Sequence, residues 1–290
     1  MPGRSESSLK SQITELIKSQ KGTVVATTFA SNVARLLTLA KCAEVAGRSI
    51  LVIGRAMQTM ISTAVSVGLL KDFPATISLE EALSLPRSNL FVLATGSQGE
   101  GRAASAQLAR DKYMDLILQE GDCFLFSSKT IPGNEVAVNR IVNSFMERGI
   151  DVIDAESEKY HVSGHANKPD VIQIHKIFNP KLIIPMHGEQ RHLREHTKLA
   201  QSNGFSSIFA PNGSIIQINI DGNAEKVGEV TVGRLYFDGG ELINSTNGVM
   251  RTRLQMAARG HVSISLLFEK NNLLENGIWV KSQGLPEKID

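Results

Sequence analysis

Hydrophobic residues in the first half of this chain alternate between two periodicities. Leu9, Ile13, Leu16 and Ile17 recur at helical spacing behind a polar lead, which predicts an opening helix. The stretch GTVVATTFASN then turns apolar. Its TVVAT segment reads as a buried strand entering a polar turn, and from about Asn32 a helix carries Val33, Leu36, Leu37 and Ala40 along one face. Gly47 stops that helix. SILVIGRAM, NLFVLATGSQGEG and DCFLFSSKTIPGNE repeat the strand-to-turn pattern. A further helix is predicted over residues 136–148, and DVIDA is a fifth short strand. Strand, Gly/Ser turn and helix in succession predict a parallel sheet wrapped by helices, an α/β fold.

From His161 the texture changes. YHVSGH predicts a short strand and turn, residues 168–178 a helix, PKLIIPMHG a strand and turn, and residues 189–203 another helix. SIIQINI and GRLYFDG predict strands. A polar linker, a basic helix over residues 249–258 and the strand HVSISLLF follow, and KSQGLPEKID offers no closing element.

Composition changes this picture little. With 290 residues, 42% of them hydrophobic, the chain can bury a core and divide into two or three units. A net charge of +2 announces no global basic field, so any nucleic-acid contact needs a local groove. Cys42 and Cys123 lie far apart inside apolar runs, as buried free thiols of a reducing compartment do. The opening MPGRSESSLK has no apolar signal region, and the longest apolar runs are strand-sized. The expectation is a soluble cytoplasmic protein with no membrane partner.

The polar residues gather where strands end, at residues 27–32, 54–55, 95–100 and 127–135. Ligands of open parallel sheets bind at the carboxyl ends of strands, where amides and hydroxyls can hold phosphate oxygens. Each loop by itself is an ordinary βα turn. Four together point to a phosphate-bearing ligand. No G-x-G-x-x-G or Walker pattern follows a strand, which disfavours a nucleotide-binding doubly wound domain.

Five of the seven histidines fall within residues 161–193. His165 and His187 sit in turns, where a neutral imidazole can serve as metal ligand or proton donor. His175, His192 and His196 on helices and His261 at a strand start read as structural. The i,i+4 pair His192 and His196 has no carboxylate motif beside it.

TFASN, TGSQGE, FSSKTIPGNE, HVSGHA and PMHGEQRHL, in this order and spacing, closely resemble the ribonuclease J family, the bacterial and archaeal branch of the β-CASP metallo-β-lactamase nucleases. GRLYFDG and the helix and strand after it also fit, so the resemblance covers nearly the whole chain. It implies a parallel-sheet β-CASP domain with its lead-in over residues 1–155. It further implies the C-terminal half of a metallo-β-lactamase αββα domain over residues 156–243 and the start of a small α/β C-terminal domain over residues 244–290. His187 matches a zinc ligand. His165 matches the catalytic histidine beside the scissile phosphate, thought to assist proton transfer. Ser31, Asn32 and Val33, with His161, Val162, Ser163, Gly164 and His165, match the pocket for RNA phosphate and the terminal nucleotide. A serine hydroxyl and a glycine amide that permits close approach suit that task.

The implied activity is zinc-dependent hydrolysis of RNA phosphodiesters, 5′-to-3′ exonucleolytic and endonucleolytic, in mRNA decay and rRNA maturation. The implied partners are 5′-monophosphorylated RNA and further copies of the chain in a homo-oligomer. Two departures bear on this. The family's H-x-H-x-D-H, a further histidine and a bridging aspartate build its two-zinc centre, and this chain has none of them; it opens with residues resembling the segment just downstream of that aspartate. One histidine cannot form a dinuclear site, so the chain by itself is expected to bind zinc weakly at most and to be inactive. Gly101 stands where the family usually has proline. Two readings follow: part of a ribonuclease, or a catalytically silent module that binds RNA or pairs with a complete homologue.

Overall fold

The computed structural model describes residues 3–154, 159–245 and 248–286, and the chain divides into two compact units, Met1–Ile177 and Phe178–Asp290. In the first unit, helix α1 (Lys10–Ser19) leads into β1 (Val24–Thr27), α2 (Val33–Val45), β2 (Ser49–Ile53) and α3 (Arg55–Ser66). There follow β3 (Thr76–Ile77), α4 (Leu79–Ser84), β4 (Leu90–Ala94), α5 (Ala104–Ala109), β5 (Cys123–Phe126), α6 (Glu135–Met146), β6 (Asp151–Ile153) and α7 (Lys168–Phe178). The six strands are all parallel, in the order β3-β2-β4-β1-β5-β6.

The central strands are apolar on both faces because helices cover both. Alternate side chains sort into two cores. Val25, Leu51, Val92, Phe124 and Phe126 pack against α5 and α6 residues including Leu108, Val138 and Phe145. Val24, Ala26, Ile50, Phe91 and Leu125 pack against α1, α2 and α3 through Ile13, Leu36, Leu39 and Met57. Phe145 stacks on Phe124 with ring centroids 4.5 Å apart.

Where the strands begin, two buried charged side chains collect backbone groups. Arg48 donates through Nη1 to the carbonyls of Gly22 (2.6 Å) and Leu90 (3.2 Å), and through Nη2 to those of Ile17 (2.9 Å) and Gln20 (2.6 Å). Asp122 accepts from the amides of Thr23 and Gln119, both at 2.8 Å, and pairs with Arg87.

Cys123, fully buried beside this network, has its thiol pushed up to about 12, first by burial and then by the nearby Asp151 carboxylate. A thiol with a raised native pKa gives stability that is complete below its ordinary value and is lost as pH rises through the native one. Cys123→Ala is therefore expected to flatten the alkaline loss of stability between about pH 9 and 12, measured by chemical denaturation at stepped pH. An unchanged pH profile would count against that.

The second unit is described by itself. It holds α8 (Gln190–Ser202) and α9 (Gly248–Arg259) with three antiparallel pairs: β7 (Ser214–Ile218) with β8 (Ala224–Glu229), β9 (Leu235–Asp238) with β10 (Glu241–Asn244), and β11 (His261–Glu269) with β12 (Asn272–Gln283). Its described core is small, with Ile183, Leu193 and Ala200 buried, whereas Phe237, Phe268 and Trp279 are exposed. No described helix is long and apolar enough to cross a membrane.

Two expected strands do not form. PKLIIPMHG makes only an isolated bridge, Ile183 to Ser207, because Pro180 and Pro185 lack the amide that a ladder needs on either side of it. YHVSGH is irregular: the Tyr160 carbonyl is taken by side-chain donors rather than by a neighbouring strand. The two-residue β3 and the long β12 were not anticipated; of KSQGLPEKID, residues 281–283 end β12 and residues 287–290 lie outside the described residues.

Candidate functional site

A parallel sheet opens a crevice where adjacent strands send their helices to opposite faces. β1 feeds α2 on one face and β5 feeds α6 on the other, and between their loops lies a cleft of about 440 Å³. Three segments wall it: Thr28, Phe29 and Asn32 after β1; Ser127, Ser128, Lys129, Thr130 and Pro132 after β5; and Val162 to His165. No carboxylate is among the described residues lining it.

The first wall is the start of α2. Asn32 Oδ1 accepts from the Arg35 amide at 3.1 Å, so the side chain caps its own helix and fixes the positive end of that helix beside the cleft. One turn in, Arg35 is 1% exposed. Its Nη1 donates to the Ser127 carbonyl at 2.8 Å and to Ser127 Oγ at 3.0 Å, while Nε and Nη2 form a two-pronged pair with Glu6, Nη2 to Oε2 at 2.8 Å. Ser127 Oγ in turn donates to the Tyr160 carbonyl at 2.7 Å, and Arg35 Nη1 reaches the same oxygen at 3.5 Å. This relay draws the third segment against the sheet, with Tyr160 and Val162 packed on the α2-side core.

Gln98 orders the second wall. Its Oε1 accepts from the Ile131 amide at 2.8 Å and from Asn134 Nδ2 at 3.2 Å, and its Nε2 donates to the Lys129 carbonyl at 3.1 Å. Gly99 follows with φ +81°, and a Cβ there would lie 2.6 Å from the backbone of Ala137 on α6, so only glycine lets this loop pack so closely. Of the four polar loops marked in the sequence, those after β1 and β5 line the cleft and that after β4 braces it through Gln98.

Among the residues singled out from sequence, Asn32, Val162, Ser163, Gly164 and His165 meet in this cleft. Ser31 and Val33 flank Asn32 along the backbone, and Ser163 Oγ accepts from the His165 amide at 3.1 Å. His161 is buried and His165 exposed. His187 belongs to the second unit, exposed in a turn before α8 with φ +58°, a left-handed conformation that histidine tolerates better than most residues. Gln98 and Ser128 lie in the polar loops 95–100 and 127–135 marked from sequence, though neither was named as a site residue, and Arg35 was passed over. Arg35 left no signal there, because it lies outside the apolar face of Val33, Leu36, Leu37 and Ala40 read from the sequence.

No group of three or more His, Cys, Asp or Glu able to hold a metal ion exists among the described residues. Three or four protein ligands are usual for zinc, so these residues do not by themselves fit the ion.

Residues 21–145 match the family described as Ribonuclease J, beta-CASP domain, and residues 151–211 match the Zn-dependent metallo-hydrolase RNA specificity domain. Ser31 to Val33 fall within the first match, and His161 to His165 with His187 fall within the second. The Ribonuclease J of Sinorhizobium meliloti is 35% identical over 99% of this chain and 51% of its own length. That of Thermus thermophilus is 33% identical over 93% of this chain and 48% of its own. Ribonuclease J 1 of Streptococcus pyogenes is 33% identical over 89% and 47%. The chain thus spans about half the length of the curated relatives it matches.

Sheet and matches together define the class: a β-CASP domain followed by a metallo-hydrolase RNA specificity domain. More particularly, the chain carries a ribonuclease J β-CASP domain, and it is a relative of proteins named ribonuclease J.

Proposed function

We propose that this chain is the RNA-gripping part of a ribonuclease J-type hydrolase and that the cleft beside α2 takes the phosphate and terminal nucleotide of a 5′-monophosphorylated RNA. The observation that carries this reading is the convergence of Asn32, Ser128, Lys129, Ser163 and His165 on one carboxylate-free cleft at the positive end of a helix. In this reading Ser31, Asn32, Val33 and residues 161–165 bind the substrate, and the His165 imidazole holds or passes a proton at the scissile phosphate. His187 is one ligand of a two-zinc centre, whose ions would activate water and stabilise the leaving oxygen. The remaining ligands are supplied by other residues than those described. Residues 156–243 are then the returning half of a metallo-β-lactamase domain, and residues 244–290 begin a C-terminal domain through which copies associate.

A second reading, a catalytically silent module that binds RNA or a complete homologue, draws support from the lack of a metal-holding group among the described residues. Binding and turnover separate the two. Both readings expect the chain to bind a 5′-phosphorylated oligoribonucleotide more tightly than its 5′-hydroxyl counterpart, with affinity falling as salt rises. Equal affinity for the two would sink the site assignment. With zinc or manganese, the chain by itself is expected to show no turnover. The genomic sequence upstream of Met1 decides the rest: an in-frame H-x-H-x-D-H supports the ribonuclease, and its absence the silent module.

A further inference from the structure

The run from His161 to Ala166 is held at both of its ends. At one end the Tyr160 carbonyl is tied to Ser127 and, through it, to Arg35 and Glu6. At the other end Asp170, in the first turn of α7, accepts the Asn167 amide on Oδ2 at 3.0 Å. The same carboxylate takes the Gly3 amide, at 2.9 Å to Oδ2 and 3.2 Å to Oδ1, a contact spanning 167 residues of sequence. A Cβ on Gly3 would lie 3.0 Å from Asp170 Oδ2, so glycine suits this close approach. Gly3 and Glu6 belong to one lead-in, and both ties converge on it. Between the ties, the His165 amide donates to Ser163 Oγ at 3.1 Å and folds the run, with His165 exposed at the cleft. A short exposed run of this kind keeps one shape only while its ends are fixed.

Resting on the cleft assignment above, we propose that Asp170 is a positioning residue for His165. It is not among the described residues that line the cleft, and it acts through the backbone. Hydrogen bonds from amides to a carboxylate are charge-assisted and roughly twice as strong as neutral ones, so one side chain suffices to tie Asn167 to the lead-in. With Asn167 fixed, the His165 imidazole is held at the cleft before RNA arrives, and binding does not have to order the run.

The test measures binding of a short 5′-phosphorylated oligoribonucleotide to the intact chain, to Asp170→Ala and to Asp170→Asn, with thermal melts of all three. The His165 imidazole resonance, assigned by its loss in His165→Gln, is followed as the oligonucleotide is added. Asp170→Ala is expected to bind roughly fivefold more weakly, in proportion to the time the run spends out of place, and to lose the wild-type response of His165. Asp170→Asn, which keeps an acceptor for the amides, regains part of the affinity and of that response. Melting temperatures agree to within about 3 °C, since the contact lies at the surface. Asp170→Ala that binds as tightly as wild type, or more weakly with its His165 response intact, overturns this proposal and leaves the cleft assignment standing. A larger drop in melting temperature, with Asp170→Asn as weak as Asp170→Ala, also overturns it, as it would make Asp170 part of the scaffold. Wild-type protein that does not bind, or whose His165 resonance never moves, overturns both.

Discussion

Arg48→Ala is expected to destabilise the first unit by about 4 kcal/mol, enough to consume much of a domain's usual margin. The mechanism is local. Four carbonyls, from the end of α1, the entry to β1 and the first residue of β4, converge on one guanidinium, and alanine takes that charged donor from all four, in a setting that is buried for Leu90 and Ile17 and part-buried for Gly22 and Gln20. Burial itself draws the Arg48 pKa down, which reports how far the group is removed from water. Arg48→Lys should recover only part of the loss, because an ammonium is a compact point donor and cannot span a fork of this width. Urea denaturation of the three proteins checks the ranking, and Arg48→Lys matching wild type would show that charge rather than geometry matters.

The second large effect concerns Arg35. Its removal strands the Glu6 carboxylate, takes the charged donor from the Ser127 carbonyl and hydroxyl, and so loosens the Ser127 contact that holds the segment carrying His161 to His165. Arg35→Met, similar in volume, is expected to cost about 3 kcal/mol, the range for breaking one side of a buried ion pair. It is also expected to weaken oligonucleotide binding, since Val162 to His165 are then held less firmly against the β5 loop. Glu6→Gln alone should cost less, because Glu6 is 26% exposed while Arg35 is 1% exposed. In the double variant Glu6→Gln with Arg35→Met, the two losses should fall short of their sum, and strict additivity in a double-mutant cycle would show the pair to be uncoupled.

Both arginines mark the limit of what the sequence discloses. The sheet was legible because β1, β4 and β5 are short apolar runs, each followed by a polar turn, a signal independent of neighbours. α7 was foreseen with its bounds unchanged, residues 168–178, since its amphipathic period is uninterrupted. The small β3 escaped because two residues carry no period, and β8, β10 and β12 because their strands are mostly exposed and mix polar with apolar positions. The cleft was legible as a set of polar strand ends and as quoted motifs. Its construction was not. That Ser127 is consumed by Tyr160 while Ser128 Oγ is left without a protein partner among the described residues depends on side-chain directions fixed by contacts 33 and 92 residues apart in sequence, which no local pattern records.

The strand order also governs how this polypeptide can assemble. β1 precedes both its sheet neighbours by a long stretch of sequence, one beginning at Leu90 and the other at Cys123. During synthesis the segment TVVAT therefore waits, uncovered and adhesive, until most of the first unit has left the ribosome. Long-range pairing of this kind slows folding and lengthens exposure to self-association. The passage from nascent chain to native sheet, rather than the finished sheet with its two- and three-residue borders β3 and β6, is the stage at which self-association has most surface to act on.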